Sequence, residues 1–315
     1  MSVPRIGTRG SPLARWQAEQ VAAAIRGSGG PACTIVTIAT SGDRLARGSL
    51  SEAGGKRLFV KEIEEALLAN EIDLAVHSAK DLPAVLPAGL QIDAALARED
   101  PRDALIAPVT AQTPPSDAEA LIAAAGRRAR VGTGSVRRTA QLARAFPGIE
   151  IAPVRGNVGT RLRKLDEGRY DLLVLAVAGL ARLQLTHRVT ARLATDVCVP
   201  APGQGILAVE TRTTDMATRD LIGRIGETAT AVALEAERGL VSALGADCRV
   251  PVGALATLDG DAVTLVGVVA SLDGVRLLRR QANAPARHAA SLGREVARSL
   301  LADGAGDVLA SIERR

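Results

Sequence analysis

Short β-branched or apolar runs alternate with amphipathic helical stretches from residue 4 to residue 177, and few architectures accept that pattern. Residues 4–8 read as a strand. Ser11 then begins a helix with Pro12 in its first turn and apolar Leu13, Trp16 and Ala24, running to Ile25. Residues 33–39 are β-branched and strand-like. Residues 58–70 place Leu58, Phe59, Ile63, Ala66 and Leu67 among acids, an amphipathic helix, and 72–77 form another short strand. The middle of the chain repeats the style, with strands at 130–133, 149–154 and 171–177 and helices at 135–145 and 158–168. The expectation is an α/β protein with open, mainly parallel sheets, which bind ligands at the carboxyl ends of their strands.

The last third differs. Residues 227–243 form one long helical segment. Strands at 252–258, 263–271 and 275–281 are separated by Asp259-Gly260 and Asp273-Gly274, which predicts an antiparallel three-stranded meander. A helix over 285–301 follows, completing a smaller α+β domain. Candidate hinges are the charged stretch 98–102 and the Pro/Gly-rich stretch 200–205. The longest apolar run, 172–181, is about half the roughly 20 residues that a membrane span needs. No signal peptide is read at the N-terminus. Cys33, Cys198 and Cys248 are an odd, widely spaced set, neither a disulfide framework nor a zinc site. A reducing cytoplasm is expected.

Charge narrows the ligand class. Lys56, Lys61, Lys80 and Lys164 are the only lysines, so 35 of 39 basic side chains are arginine. Residues 104–196 hold 14 basic and 7 acidic side chains, net +7, against +5 for the whole chain. Such a field favours an anionic ligand: nucleic acid, phosphate or carboxylate. Only four aromatics occur, Trp16, Phe59, Phe146 and Tyr170, which argues against a base-stacking platform.

Five segments carry candidate chemistry. His77-Ser78-Ala79-Lys80-Asp81 ends a buried strand. Asp81 is either a general acid/base and cation stabiliser or half of an Asp–Lys staple. Gly54-Gly55-Lys56 is either an anion-binding loop or a solvated one. Thr133-Gly134-Ser135-Val136-Arg137-Arg138 and Arg155-Gly156-Asn157-Val158-Gly159-Thr160-Arg161 both run from a strand through a Gly-containing turn into a helix. Guanidinium groups there suit carboxylates. Cys248, in a loop, is a nucleophile, a covalent attachment point or a partly buried thiol. Cys33 and Cys198 are read as packing residues.

Together and in this order, these segments resemble the porphobilinogen deaminase family, also called the hydroxymethylbilane synthases, over nearly the whole chain. Thr8-Arg9-Gly10-Ser11-Pro12-Leu13-Ala14, Arg98-Glu99-Asp100-Pro101-Arg102-Asp103 and Gly203-Gln204-Gly205 extend the match. The resemblance implies two periplasmic-binding-protein-like lobes plus the smaller C-terminal domain. Its division is 1–100 with 198–222, 103–196, and 224–315. It implies a dipyrromethane cofactor joined by a thioether to Cys248. On it four porphobilinogen units are added with loss of ammonia, and linear hydroxymethylbilane is then hydrolysed off. Asp81 matches the catalytic position. Arg9, Ser11, Lys80, Thr133, Ser135, Arg137, Arg138, Arg155, Gly156, Arg161 and Arg182 match positions that hold cofactor or substrate. Lys56 and Phe59 match the active-site loop. The sequence departs from the family pattern at Glu52, Gly134 and Ala246-Asp247. The implied setting is a cytoplasmic monomer that uses no metal, nucleic acid or membrane and passes its product to uroporphyrinogen-III synthase. Two rivals explain less. An anion receptor leaves Asp81 and Cys248 without a role, and a nucleic-acid binder lacks interleaved aromatics.

Overall fold

The computed structural model describes residues 3–41, 60–245 and 250–313. The chain divides into two compact units, Met1–Glu99 with Ile206–Leu234, and Asp100–Gly205 with Glu235–Arg315.

The first unit is built on strands β1 (Arg5–Arg9), β2 (Thr34–Ile38), β3 (Leu74–Ser78), β4 (Leu90–Ala95) and, from far along the chain, the strand Leu207–Arg212. The order is β2-β1-β3, then Leu207–Arg212, then β4. β2, β1 and β3 are parallel. The returning strand is antiparallel to both of its neighbours, so four of the five strands point one way. Alternation along β3 buries both faces. Leu74 and Val76 join Ile6, Val21, Ile25 and Val209 under the helix Pro12–Gly27. Ala75 joins Ile63, Leu67 and Ile72 beside the helix Lys61–Leu68. Each large aliphatic side chain buried this way contributes about 1.5–3 kcal/mol.

The second unit repeats this plan with β5 (Asp103–Ile106), β6 (Arg130–Gly132), β7 (Glu150–Ala152), β8 (Leu172–Ala176) and β9 (Ala191–Arg192), in the order β7-β6-β8-β5-β9. β7, β6 and β8 are parallel, and β5 runs antiparallel between β8 and β9. Leu172 and Val174 of β8 pack with Leu142 of the helix Val136–Ala145. Leu173 and Leu175 pack with Leu162 and Leu165 of the helix Val158–Asp166.

The returning strand of the first unit is numbered β10 in chain order. A separate antiparallel sheet, β11 (Val252–Asp259), β12 (Ala262–Ala270) and β13 (Leu277–Pro285), also belongs to the second unit. Leu265 and Val269 of β12 are buried, as are Leu292, Val296 and Leu300 of the helix Ala289–Ala302. No helix among the described residues is long and apolar enough to cross a membrane.

The mixed α/β class and the C-terminal meander agree with the sequence reading. β4, β5, β9 and β10 go beyond it. All four belong to the antiparallel sides of sheets otherwise built from βαβ alternation, and β10 pairs with residues more than a hundred positions away.

Candidate active site

In the first unit the sequence-predicted residues gather at one edge of the sheet. β1 ends at Arg9 and its parallel neighbour β3 ends at Ser78, so both carboxyl ends lie together. Ser11 caps the helix Pro12–Gly27, accepting from the Ala14 N–H at 3.2 Å. The polar groups at the end of β3 are mostly satisfied, as burial requires. His77 Nε2 lies 3.1 Å from Glu210 Oε2 on β10, and both residues are buried. Gln17 Nε2 donates to Ser78 Oγ at 2.8 Å. The turn Ala79–Asp81 is fixed to the chain entering β10 by Ala79 N–H donating to Ile206 O at 3.0 Å. Asp81 is different: it is exposed, and no described residue pairs with or hydrogen-bonds its carboxylate. The Asp–Lys staple is therefore not formed.

In the second unit the two arginine-bearing loops are joined. Thr133 N–H donates to Ala152 O at 3.0 Å, and Val154 N–H donates to Thr133 O at 3.3 Å. Gly134 passes so close beneath the second loop that a Cβ there would lie 2.9 Å from Val154 O. Ser135 caps the helix Val136–Ala145 and Asn157 caps the helix Val158–Asp166, so two positive helix ends open at one sheet edge. Gly156 has φ 113°, a left-handed conformation that side chains rarely adopt. Arg155 is exposed, and its guanidinium has no partner among the described residues. Arg161 Nε donates to Gly156 O at 2.7 Å, and Arg182, buried, donates to Gly205 O at 2.6 Å.

Arg137 and Arg138 face inward. They are 3% and 5% exposed and converge on the fully buried Asp103 at the start of β5. Arg137 Nη1 donates to Oδ2 at 2.8 Å. Arg138 Nε and Nη2 donate to Oδ1 at 3.0 and 2.7 Å. Gln204 Nε2 adds a donor at 2.8 Å and the Cys198 thiol another at 3.4 Å. Burial alone would raise the Asp103 carboxyl. The two guanidinium charges and their hydrogen bonds outweigh it and hold the group well below the usual carboxylate range. Burial pushes the Cys198 thiol up to about 12, against the pull of Arg137, so this cysteine is inert packing. Arg137 Nε is buried with no hydrogen-bond partner.

Asp103, Gln204 and Gln17 were not singled out as site residues from sequence. A signal for Asp103 existed. Consecutive residues on a helix diverge by about 100°, so adjacent arginines beside Ala140 and Leu142 cannot both avoid the buried face, and a buried arginine needs an acid. Cys248, Lys56 and Phe59 lie outside the described residues, as do Glu52 and Ala246-Asp247.

Comparison with known proteins decides the lineage. Residues 4–220 match the family model "Porphobilinogen deaminase, dipyromethane cofactor binding domain", and residues 231–302 match "Porphobilinogen deaminase, C-terminal domain". The chain belongs to the porphobilinogen deaminase family. It is 47% identical over 309 residues to the porphobilinogen deaminase of Acidithiobacillus ferrooxidans, covering 98% of this chain and 97% of that one. The corresponding figures are 45%, with 99% and 96% covered, for the enzyme of Syntrophotalea carbinolica. For that of Moorella thermoacetica they are 44%, 98% and 96%. Among solved structures, the periplasmic VFT2 domain of Bordetella pertussis BvgS aligns at TM-score 0.43 and 14% identity, covering 71% of this chain and 86% of that one.

Proposed function

We infer that this chain joins four porphobilinogen molecules head to tail, releasing ammonia at each addition, on a dipyrromethane primer. It then frees linear hydroxymethylbilane by hydrolysis. Family membership over nearly the full length supports this transferase activity in porphyrin biosynthesis.

The donor set fits a polycarboxylate. Each pyrrole of a dipyrromethane bears an acetate and a propionate, and arginine binds carboxylates in a planar fork. Arg155 offers a guanidinium with no described partner, and Arg137 Nε is a buried donor without an acceptor. When bound, the dipyrromethane supplies the pyrrole carbon to which the first unit is added. We assign its thioether attachment to Cys248. Arg155 and Arg161, with the Thr133 and Ser135 loop and Gly156, are assigned to carboxylate side chains. Arg9, Ser11 and Lys80 are likewise assigned to cofactor or substrate side chains. Arg137 and Arg138, which Asp103 holds, and Arg182, which donates to Gly205 O, are assigned to cofactor or substrate side chains as well. Lys56 and Phe59 are assigned to the active-site loop.

The observation that carries the catalytic reading is the Asp81 carboxylate. It sits on a turn whose first residue is tied to the chain entering β10, exposed and uncommitted, where it can engage pyrrole N–H groups and stabilise the positive charge that develops as ammonia leaves. We further assign three domains, 1–100 with 198–222, 103–196 and 224–315. The working state is a cytoplasmic monomer whose product passes to uroporphyrinogen-III synthase.

Intact mass under denaturing conditions tests the assignment. Protein prepared with porphobilinogen carries an excess of two linked pyrrole units, absent in Cys248→Ser. Asp81→Ala stays folded and loses about 100-fold or more in turnover. An apo mass in the wild type, or near-normal turnover in Asp81→Ala, overturns the respective assignment.

A further inference from the structure

The loop that presents Arg155 is pinned at one backbone group of each residue from 153 to 156, while the Arg155 guanidinium itself is left uncommitted. Tyr170 Oη donates to Pro153 O at 2.8 Å. Val154 N–H donates to Thr133 O at 3.3 Å. Lys164 Nζ donates to Arg155 O at 3.0 Å, and Arg161 Nε donates to Gly156 O at 2.7 Å. Three of the four contacts are side-chain donors aimed at main-chain carbonyls, two of them from the helix Val158–Asp166 that the loop precedes. Side chains on a helix lean toward its N-terminus, which lets Lys164 reach back from the last turn to the loop. A bare loop here would sample many conformations, and ordering it at the moment of binding would weaken the grip on a carboxylate. Side chains that take up the loop carbonyls beforehand remove that cost.

The geometry points to Lys164 and Tyr170 as positioning residues for Arg155. They fix the backbone from which it reaches a carboxylate of the cofactor or substrate, and neither touches that carboxylate. This rests on the assignment of Arg155 to a carboxylate. Lys164 is one of only four lysines in a chain that otherwise uses arginine, and its role here is a hydrogen bond to a carbonyl. Glutamine can make that bond without charge, and methionine cannot. Tyr170 acts at Pro153, two residues before Arg155, whereas Lys164 contacts the Arg155 carbonyl itself, so the loss of Tyr170 is the milder.

The test follows cofactor loading of apo-protein with porphobilinogen, read by intact mass over time. Unfolding midpoints serve as the control for folding. Lys164→Met slows loading about 3- to 10-fold, the effect of losing one hydrogen bond that orders a loop. Tyr170→Phe slows it about 2- to 5-fold, again the scale of one hydrogen bond. Lys164→Gln stays within about twofold of wild type, because the donor is kept. Arg155→Ala, run alongside, separates the two assignments. If it slows loading while Lys164→Met does not, the positioning role is overturned and the Arg155 role stands. If Arg155→Ala loads normally, both fall. If Lys164→Gln is as slow as Lys164→Met and the deficit fades in high salt, Lys164 acts through its charge, and the positioning role is overturned.

Discussion

Asp103 shows how much one buried carboxylate can organise. It neutralises one of two adjacent arginines, accepts from Gln204, and leaves a net positive charge inside the second unit. Removing one partner of such a set leaves charges stranded without compensation, at a cost of about 3–5 kcal/mol. Asp103→Asn is therefore expected to lower the thermal midpoint steeply. It also changes the pH dependence, with a definite sign. The folded carboxyl lies below its unfolded value, so its contribution is complete above about pH 4 and is lost as pH falls toward the folded-state value. Denaturant melts from pH 7 down to pH 2 should show a shallower acid loss in Asp103→Asn than in the wild type. A parallel loss would mean that Asp103 is not the titrating group. Arg155 and Asp81 were legible in the sequence because turn and strand-end chemistry is local. Which acid Arg137 and Arg138 would meet was not, because it lies 34 and 35 positions away.

At the scale of elements, local pattern set the βαβ alternation, both helix caps of the second unit and the C-terminal meander. Ser135 and Asn157 announce their helices by residue type alone. The antiparallel strands were silent. β5 is four residues at the end of a charge-rich stretch, and β10 depends on partners met only in space. The loop between β7 and the helix Val158–Asp166 shows why a glycine can matter more than an arginine beside it. Gly156 holds φ 113°, and a Cβ there would meet the Thr160 side chain at 2.7 Å. Gly156→Ala is expected to cost about 1–3 kcal/mol in unfolding free energy from backbone strain alone. It also swings the Arg155 backbone away from Lys164. Amide exchange of Val154 and Arg155 should accelerate in this variant while β8 stays protected. Unchanged exchange would show that the loop tolerates the side chain.

At the scale of the whole molecule, the two five-stranded sheets share a plan but are assembled differently, and this decides which piece can fold alone. The second sheet draws all its strands from residues 103–192, and Asp103 finds every partner by residue 204. The first sheet needs β10, which hydrogen-bonds to β3 on one side and β4 on the other. Without it, the buried Leu207 and Val209 are lost, worth about 3–6 kcal/mol together, along with two ladders of backbone hydrogen bonds. That loss is comparable to the whole stability of an ordinary domain, about 5–15 kcal/mol. A fragment of residues 100–205 is therefore expected to unfold cooperatively, with slow amide exchange at β8. A fragment of residues 1–99 should show neither property until residues 206–234 are supplied. Cooperative melting of 1–99 alone would make β10 dispensable and dissolve the discontinuous first domain. An unfolded 100–205 would mean that the middle segment depends on residues 235–315, leaving two folding units where three domains are assigned.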